Sequence, residues 1–112
     1  MERVITAQVD FTGSAKALDS QEACERLLDA IVEQLGLTNL HMVAHRFEPQ
    51  GVSIVYLLSE SHIALHTWPE NGTGYITLST CGGREVRSSD MRRILEGFDC
   101  SLQELHLVGG GR

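Results

Sequence analysis

A serine directly after a glutamate, a histidine five residues on and a cysteine on the segment after that are the groups here that could do chemistry together: Glu60-Ser61, His66 and Cys81. A serine hydroxyl beside a strained peptide can attack the carbonyl that precedes it, exchanging amide for ester. Removal of the serine α-proton then expels the ester by β-elimination and cuts the chain between Glu60 and Ser61. Hydrolysis of the dehydroalanine at the new terminus releases ammonia and leaves a pyruvoyl ketone, an electron sink. His66 suits the role of base, since imidazole is the side chain that ordinarily changes charge near neutral pH. Cys81 could act as a general acid. Each also has a plainer reading: a solvated turn serine, a hydrogen-bonded strand histidine and a small buried thiol.

The segments that must hold these groups are legible from periodicity. Residues 4–11 alternate, with Ile5, Ala7, Val9 and Phe11 on one side, as in a half-buried strand. Gly13 to Leu18 reads as a loop. Asp19 with Glu22 resembles a capping box, and Ala23, Leu27, Leu28, Ile31, Val32 and Leu35 keep helical spacing up to a Gly36 stop. Strands follow over about 39–47, 51–58, 62–68 and 74–81, with turn chemistry at Glu48-Pro49-Gln50-Gly51 and Pro69-Glu70-Asn71-Gly72. Trp68, before Pro69, reads as a packed strand end rather than a ligand platform. A shorter helix starts near Ser88 or Ser89 and carries Met91, Ile94, Leu95 and Phe98; a strand over about 102–108 and a frayed glycine-rich tail follow. The order β-α-β-β-β-β-α-β predicts one α+β domain over 1–112, a two-layer sandwich with two helices on one face of a mainly antiparallel sheet. The other face would be left open, and a second copy could cover it as a homodimer, although a wet face with scattered apolar residues is common.

If Ser59-Glu60 form a two-residue hairpin turn, Ser53 lies directly across from His66 and Leu58 across from Ser61. Opposed Cβ atoms are about 5 Å apart, close enough for Ser53 and His66 to work together. The pairs His41/His45 and His62/His66 have chelating spacing on a helix, but on strands their rings are separated by roughly 13 Å, so no metal site is assigned. The net charge of −6 argues against a nucleic-acid binder, which needs a basic stripe, and suits a cationic small molecule, although a surplus of surface carboxylates more often serves solubility. No apolar run reaches the roughly 20 residues of a membrane span, and Met1 to Val4 lack a signal-peptide pattern. Cys24, Cys81 and Cys100 form no framework, so reduced thiols in a cytoplasmic protein are expected.

The stretch from about 44 to 82, densest in Ser59-Glu60-Ser61-His62, His66-Thr67-Trp68-Pro69-Glu70 and Thr80-Cys81-Gly82, resembles the signature of the prokaryotic pyruvoyl-dependent S-adenosylmethionine decarboxylase family. The resemblance implies a precursor that cleaves itself into a β chain, 1–60, and an α chain, 61–112, with Ser61 becoming the pyruvoyl group. It implies that His66 and Ser53 assist processing and that Cys81 protonates the decarboxylated carbon. It also implies that Phe47 stacks on adenine, that Glu70 holds the ribose hydroxyls, and that the site forms at or near a dimer contact. The substrate amine would condense with the ketone as a Schiff base, and carbon dioxide would leave into that sink.

The product would be decarboxylated S-adenosylmethionine, an aminopropyl donor for spermidine and other polyamines. Thr77 and Ser79 depart from the acidic and aromatic residues many members carry there, which leaves room for decarboxylation of a basic amino acid, arginine or ornithine. A third reading is an uncleaved, non-catalytic relative that binds a nucleoside or a partner subunit.

Overall fold

A computed structural model of the chain describes residues 4–81 and 85–109; Gly82 and the end of the glycine-rich tail lie outside them. Among the described residues, strands β1 (Val4–Gly13), β2 (Asn39–Arg46), β3 (Val52–Leu58), β4 (His62–Trp68), β5 (Thr73–Cys81) and β6 (Cys100–Gly109) form a sheet in the order β2-β3-β4-β5-β1-β6. Every neighbouring pair is antiparallel. The helices are α1 (Ala15–Leu18), α2 (Gln21–Leu35) and α3 (Ser88–Glu96).

The alternation that defines the strands also defines the layers. Val9, Phe11, Ile54, Tyr56, Ile63, Leu65, Ile76 and Leu78 point to the helices and are buried with Leu27, Leu28, Ile31, Met91 and Leu95 in one core. Each such side chain contributes about 1.5–3 kcal/mol on leaving water. α2 lies across β2, β3 and β4, and α3 lies against β6. Val43, Val55 and Leu57, on the opposite parity, stay exposed, so the face without helices is open.

Two local expectations are corrected. The loop expected over Gly13 to Leu18 contains the single turn α1, capped by the Ser14 hydroxyl, which accepts from the Ala17 N–H at 3.1 Å. The cap of α2 is Ser20, not Asp19: its hydroxyl accepts from the Ala23 N–H at 3.1 Å. Asp19 is already committed elsewhere, to Arg46 and the Gly51 N–H. Gly36 ends α2 at φ 70°, a left-handed conformation that glycine adopts without strain.

Candidate active site

The β3–β4 hairpin turns at Ser59-Glu60. The Leu58 N–H donates to the Ser61 carbonyl at 2.8 Å, and the Ser61 N–H donates back to the Leu58 carbonyl at 3.4 Å. That turn sets the register, so Ser53 pairs with His66 as the sequence predicted. On the open face Ser53 Oγ lies 2.6 Å from His66 Nδ1. With the imidazole proton on Nδ1, His66 donates to the Ser53 hydroxyl oxygen, which fixes the ring and leaves Nε2 unprotonated and able to act as a base.

Around His66 the sheet supplies aromatic walls. The Tyr75 ring is 5.2 Å from His66 and 5.5 Å from Trp68, centroid to centroid. Beside them opens a cleft of about 570 Å³, bounded by Phe47 and the loop to Gly51 on one side and by Ser53, His66, Trp68 and Glu70 on the other. The β2–β3 loop carries Phe47, and a 3-10 turn, Pro69–Asn71, carries Glu70. Ser53, His66, Phe47 and Glu70 are thus brought together. Gly51 sits at φ +107°, where a side chain would be strained, and a Cβ there would come within 3.3 Å of the Thr67 carbonyl, so glycine eases the loop past this wall.

Trp68 departs from its sequence reading. It is 39% exposed and lines the cleft rather than packing under the sheet. Its parity with His66 was the signal, since residues two apart on a strand share a face. Tyr75 was likewise missed, and only the β4–β5 register, which pairs it with His66, reveals it.

The second group of predicted residues lies at the other end of the same strands. The Ser61 hydroxyl is buried without a hydrogen-bond partner among the described residues. The Cys81 thiol approaches the Glu60 carbonyl at 3.6 Å, on the peptide bond the serine would attack. A buried hydroxyl left unpaired costs about 1–3 kcal/mol, so it is a group held for something other than stability. A sulfhydryl directed at the carbonyl oxygen is placed to stabilise negative charge that develops there. Glu60, Ser61 and Cys81 are therefore brought together.

The two groups are not brought to each other. Five residues of extended chain separate Ser61 from His66, roughly 16 Å along β4. Thr77 and Ser79 lie on the open face between the clusters, and Ser79 Oγ is 3.2 Å from Thr6 Oγ1. Across the sheet a further polar group, Asp10, Glu104 and His106, gathers at the surface, with His106 Nε2 3.4 Å from each carboxylate.

Comparison with known proteins finds a matching family and a matching fold. The family profile described as S-adenosylmethionine decarboxylase matches residues 6–106. The chain is 43% identical over 79 residues to the S-adenosylmethionine decarboxylase proenzyme of Persephonella marina, covering 70% of this chain and 59% of that protein. It is 42% identical over 84 residues to the proenzyme of the same name from Methanococcus maripaludis, covering 75% and 68%. The chain thus spans only about three fifths to two thirds of these relatives' length. The crystal structure of the adenosylmethionine decarboxylase from Aquifex aeolicus superposes with a TM-score of 0.72 at 26% identity, over 96% of this chain and 88% of that one.

Proposed function

The chain belongs to the S-adenosylmethionine decarboxylase family, and from that premise we propose that it is a self-processing carboxy-lyase that converts S-adenosylmethionine to its decarboxylated form, the aminopropyl donor of polyamine synthesis. The observation that carries the reading is the orphaned Ser61 hydroxyl beside a peptide carbonyl held by the Cys81 thiol. Cleavage between Glu60 and Ser61 would give the chains 1–60 and 61–112 and leave a pyruvoyl group at residue 61. The residues around position 61 fit the formation of such a group: the hydroxyl that would attack the Glu60 carbonyl, and leave with it on elimination, has no hydrogen-bond partner among the described residues, and a thiol adjoins that carbonyl.

A pyruvoyl group supplies a carbonyl that condenses with the substrate amine and accepts the electrons released with carbon dioxide. The rest is the work of side chains. The Cys81 thiol delivers the proton that replaces carbon dioxide on Cα. Phe47 and Trp68 face the adenine and the sulfonium charge across the cleft, an arrangement aromatic faces favour for a cation. Glu70 accepts from the ribose hydroxyls. His66, oriented by Ser53, removes the α-proton of residue 61 during processing.

The roughly 16 Å gap between the clusters supports an assembly of two copies. Neither cluster alone has nucleophile, base and binding cleft. A two-fold-related copy laid on the open face would bring the Ser61–Cys81 end of one protomer over the His66 end of its partner, and reciprocally. The functional unit we infer is therefore a homodimer of processed protomers with two composite sites. All three cysteines are present as thiols, which supports a reducing cytoplasmic location.

Intact mass with and without borohydride and substrate amine tests the proposal. Fragments matching 1–60 and 61–112, and a reducible adduct on the second, are expected. A single full-length species after long incubation would leave an uncleaved relative as the better account. Carbon dioxide release from S-adenosylmethionine, arginine and ornithine assigns the substrate.

A further inference from the structure

We propose that Asp19 is a positioning residue for substrate binding: its carboxylate clamps both ends of the loop 47–51, so that Phe47 is held against the cleft. The ligand's identity rests on the reading above, but the clamp does not. Asp19 Oδ2 accepts from Arg46 Nη2 at 2.8 Å, and Asp19 Oδ1 accepts from the Gly51 N–H at 2.8 Å. Arg46 immediately precedes the loop and Gly51 closes it, with the Phe47 N–H donating to the Gly51 carbonyl at 2.8 Å. No other side chain holds both ends in this way among the described residues.

The post to which the loop is tied is itself anchored to the opposite wall. Asp19 caps α1, and its neighbour Leu18 offers its carbonyl to the buried Thr67 hydroxyl at 2.7 Å. Thr67 lies between His66 and Trp68 and also accepts from the Val52 N–H at 3.0 Å. The junction of α1 and α2 therefore fixes the spacing between the loop wall, which carries Phe47, and the strand wall, which carries Trp68.

The consequence is a particular kinetic signature. The Ser53–His66 pair and the Ser61–Cys81 group are held by the sheet, so releasing the loop leaves the chemistry intact. It lowers the fraction of molecules whose cleft is formed, and apparent affinity falls in proportion to that fraction. Loss of two hydrogen bonds to a carboxylate, one from a guanidinium, would reduce the fraction by about tenfold.

For Asp19→Ala, KM for S-adenosylmethionine should rise about tenfold, while kcat and the rate of self-cleavage change by less than about twofold. Asp19→Asn keeps an amide oxygen for the Gly51 N–H but loses the attraction of Arg46, so an intermediate rise of about threefold is expected. Hydrogen exchange at the Gly51 amide, followed by NMR, should accelerate in Asp19→Ala by a similar factor, whatever the enzyme decarboxylates. Should Asp19→Ala fail to fold, Arg46→Ala releases the same carboxylate oxygen from the exposed side and should raise KM alone. An unchanged KM, a loss confined to kcat, or a Gly51 amide that stays protected in Asp19→Ala would overturn the clamp. If instead the wild-type protein neither cleaves nor decarboxylates, the proposed activity falls, and Gly51 exchange alone decides on Asp19.

Discussion

Mixing two inactive variants offers the sharpest check on a site assembled from two copies. Take Cys81→Ala, which damages the Ser61 end of a protomer, and His66→Ala, which damages the other end. The ends are separated by roughly 16 Å of extended strand, too far for one protomer's cysteine to serve its own histidine. In a hybrid dimer one composite site carries both lesions and the other carries neither. Random pairing of equal amounts makes half the dimers hybrid, and each hybrid has one working site of two, so co-expression should restore about one quarter of wild-type turnover. The intact site also processes correctly, because the uncut Ser61–Cys81 end of the His66→Ala protomer meets the unaltered His66 of its partner. Steady-state carbon dioxide release from co-expressed and separately purified variants, matched for protein, reads this directly. Activity no greater than the sum of the two single variants would show that each protomer completes its own site, and the two-fold argument would fail.

Further outcomes follow from the same geometry. Glu70→Gln and Trp68→Ala should each raise KM for S-adenosylmethionine by about tenfold or more, since one removes a charged acceptor and the other an aromatic face from the cleft; self-cleavage, followed by mass, should persist in both. Burial pushes the Cys24 thiol up to about 12 and the Cys100 thiol up to about 11. Both values exceed the ordinary 9.0, so the folded chain keeps protons that the unfolded chain gives up. Stability is then complete below about pH 9 and falls as pH rises toward 12, by at most about 1.4 kcal/mol per pH unit for each thiol. Burial and the hydrogen bond to Asp29 raise Tyr56 as well, adding to the decline at the alkaline end. Urea midpoints at about pH 8 and about pH 10.5 should show the loss, and Cys24→Ala should flatten it; equal midpoints in the wild type would refute the assignment.

How much of this could be read from the letters alone depended on whether a residue's role was local. The hairpin register followed from one turn, and with it the Ser53–His66 contact, because antiparallel pairing propagates without choice once the turn is set. Ser61 and Cys81 stood out by residue type, Phe47 and Glu70 only through a resemblance, and the fold then sorted the four into two groups that spacing could not separate. Trp68 was misjudged because an aromatic before proline looks like packing until the parity of its strand is known. Asp19 was misjudged for a different reason. A capping aspartate and a clamping aspartate look alike in sequence, and its partners Arg46 and Gly51 are 27 and 32 residues away. Tyr75 depended on a register between strands whose connection, unlike the β3–β4 turn, is a 3-10 turn closed by Gly72 rather than a two-residue hairpin. A register set through a turn of that kind is not written in local composition.

The unpaired hydroxyl of Ser61 gives a last test, in which function and stability point in opposite directions. Alanine at this position removes the nucleophile, so cleavage should stop. It also removes a buried polar atom that has no partner among the described residues, and with it a desolvation cost of about 1–3 kcal/mol. The precursor should therefore gain stability on losing its nucleophile, whereas a serine serving the fold would have the reverse effect. Because the wild-type chain is expected to cut itself, the comparison belongs in a background that cannot: Ser61→Ala added to His66→Ala, against His66→Ala alone, both confirmed whole by mass. For a domain of this size a gain of 1 kcal/mol corresponds to a rise in Tm of about 4–8 °C. A fall in Tm of more than a few degrees would mean that the hydroxyl has a structural partner, and the nucleophile would have to be sought elsewhere in the turn.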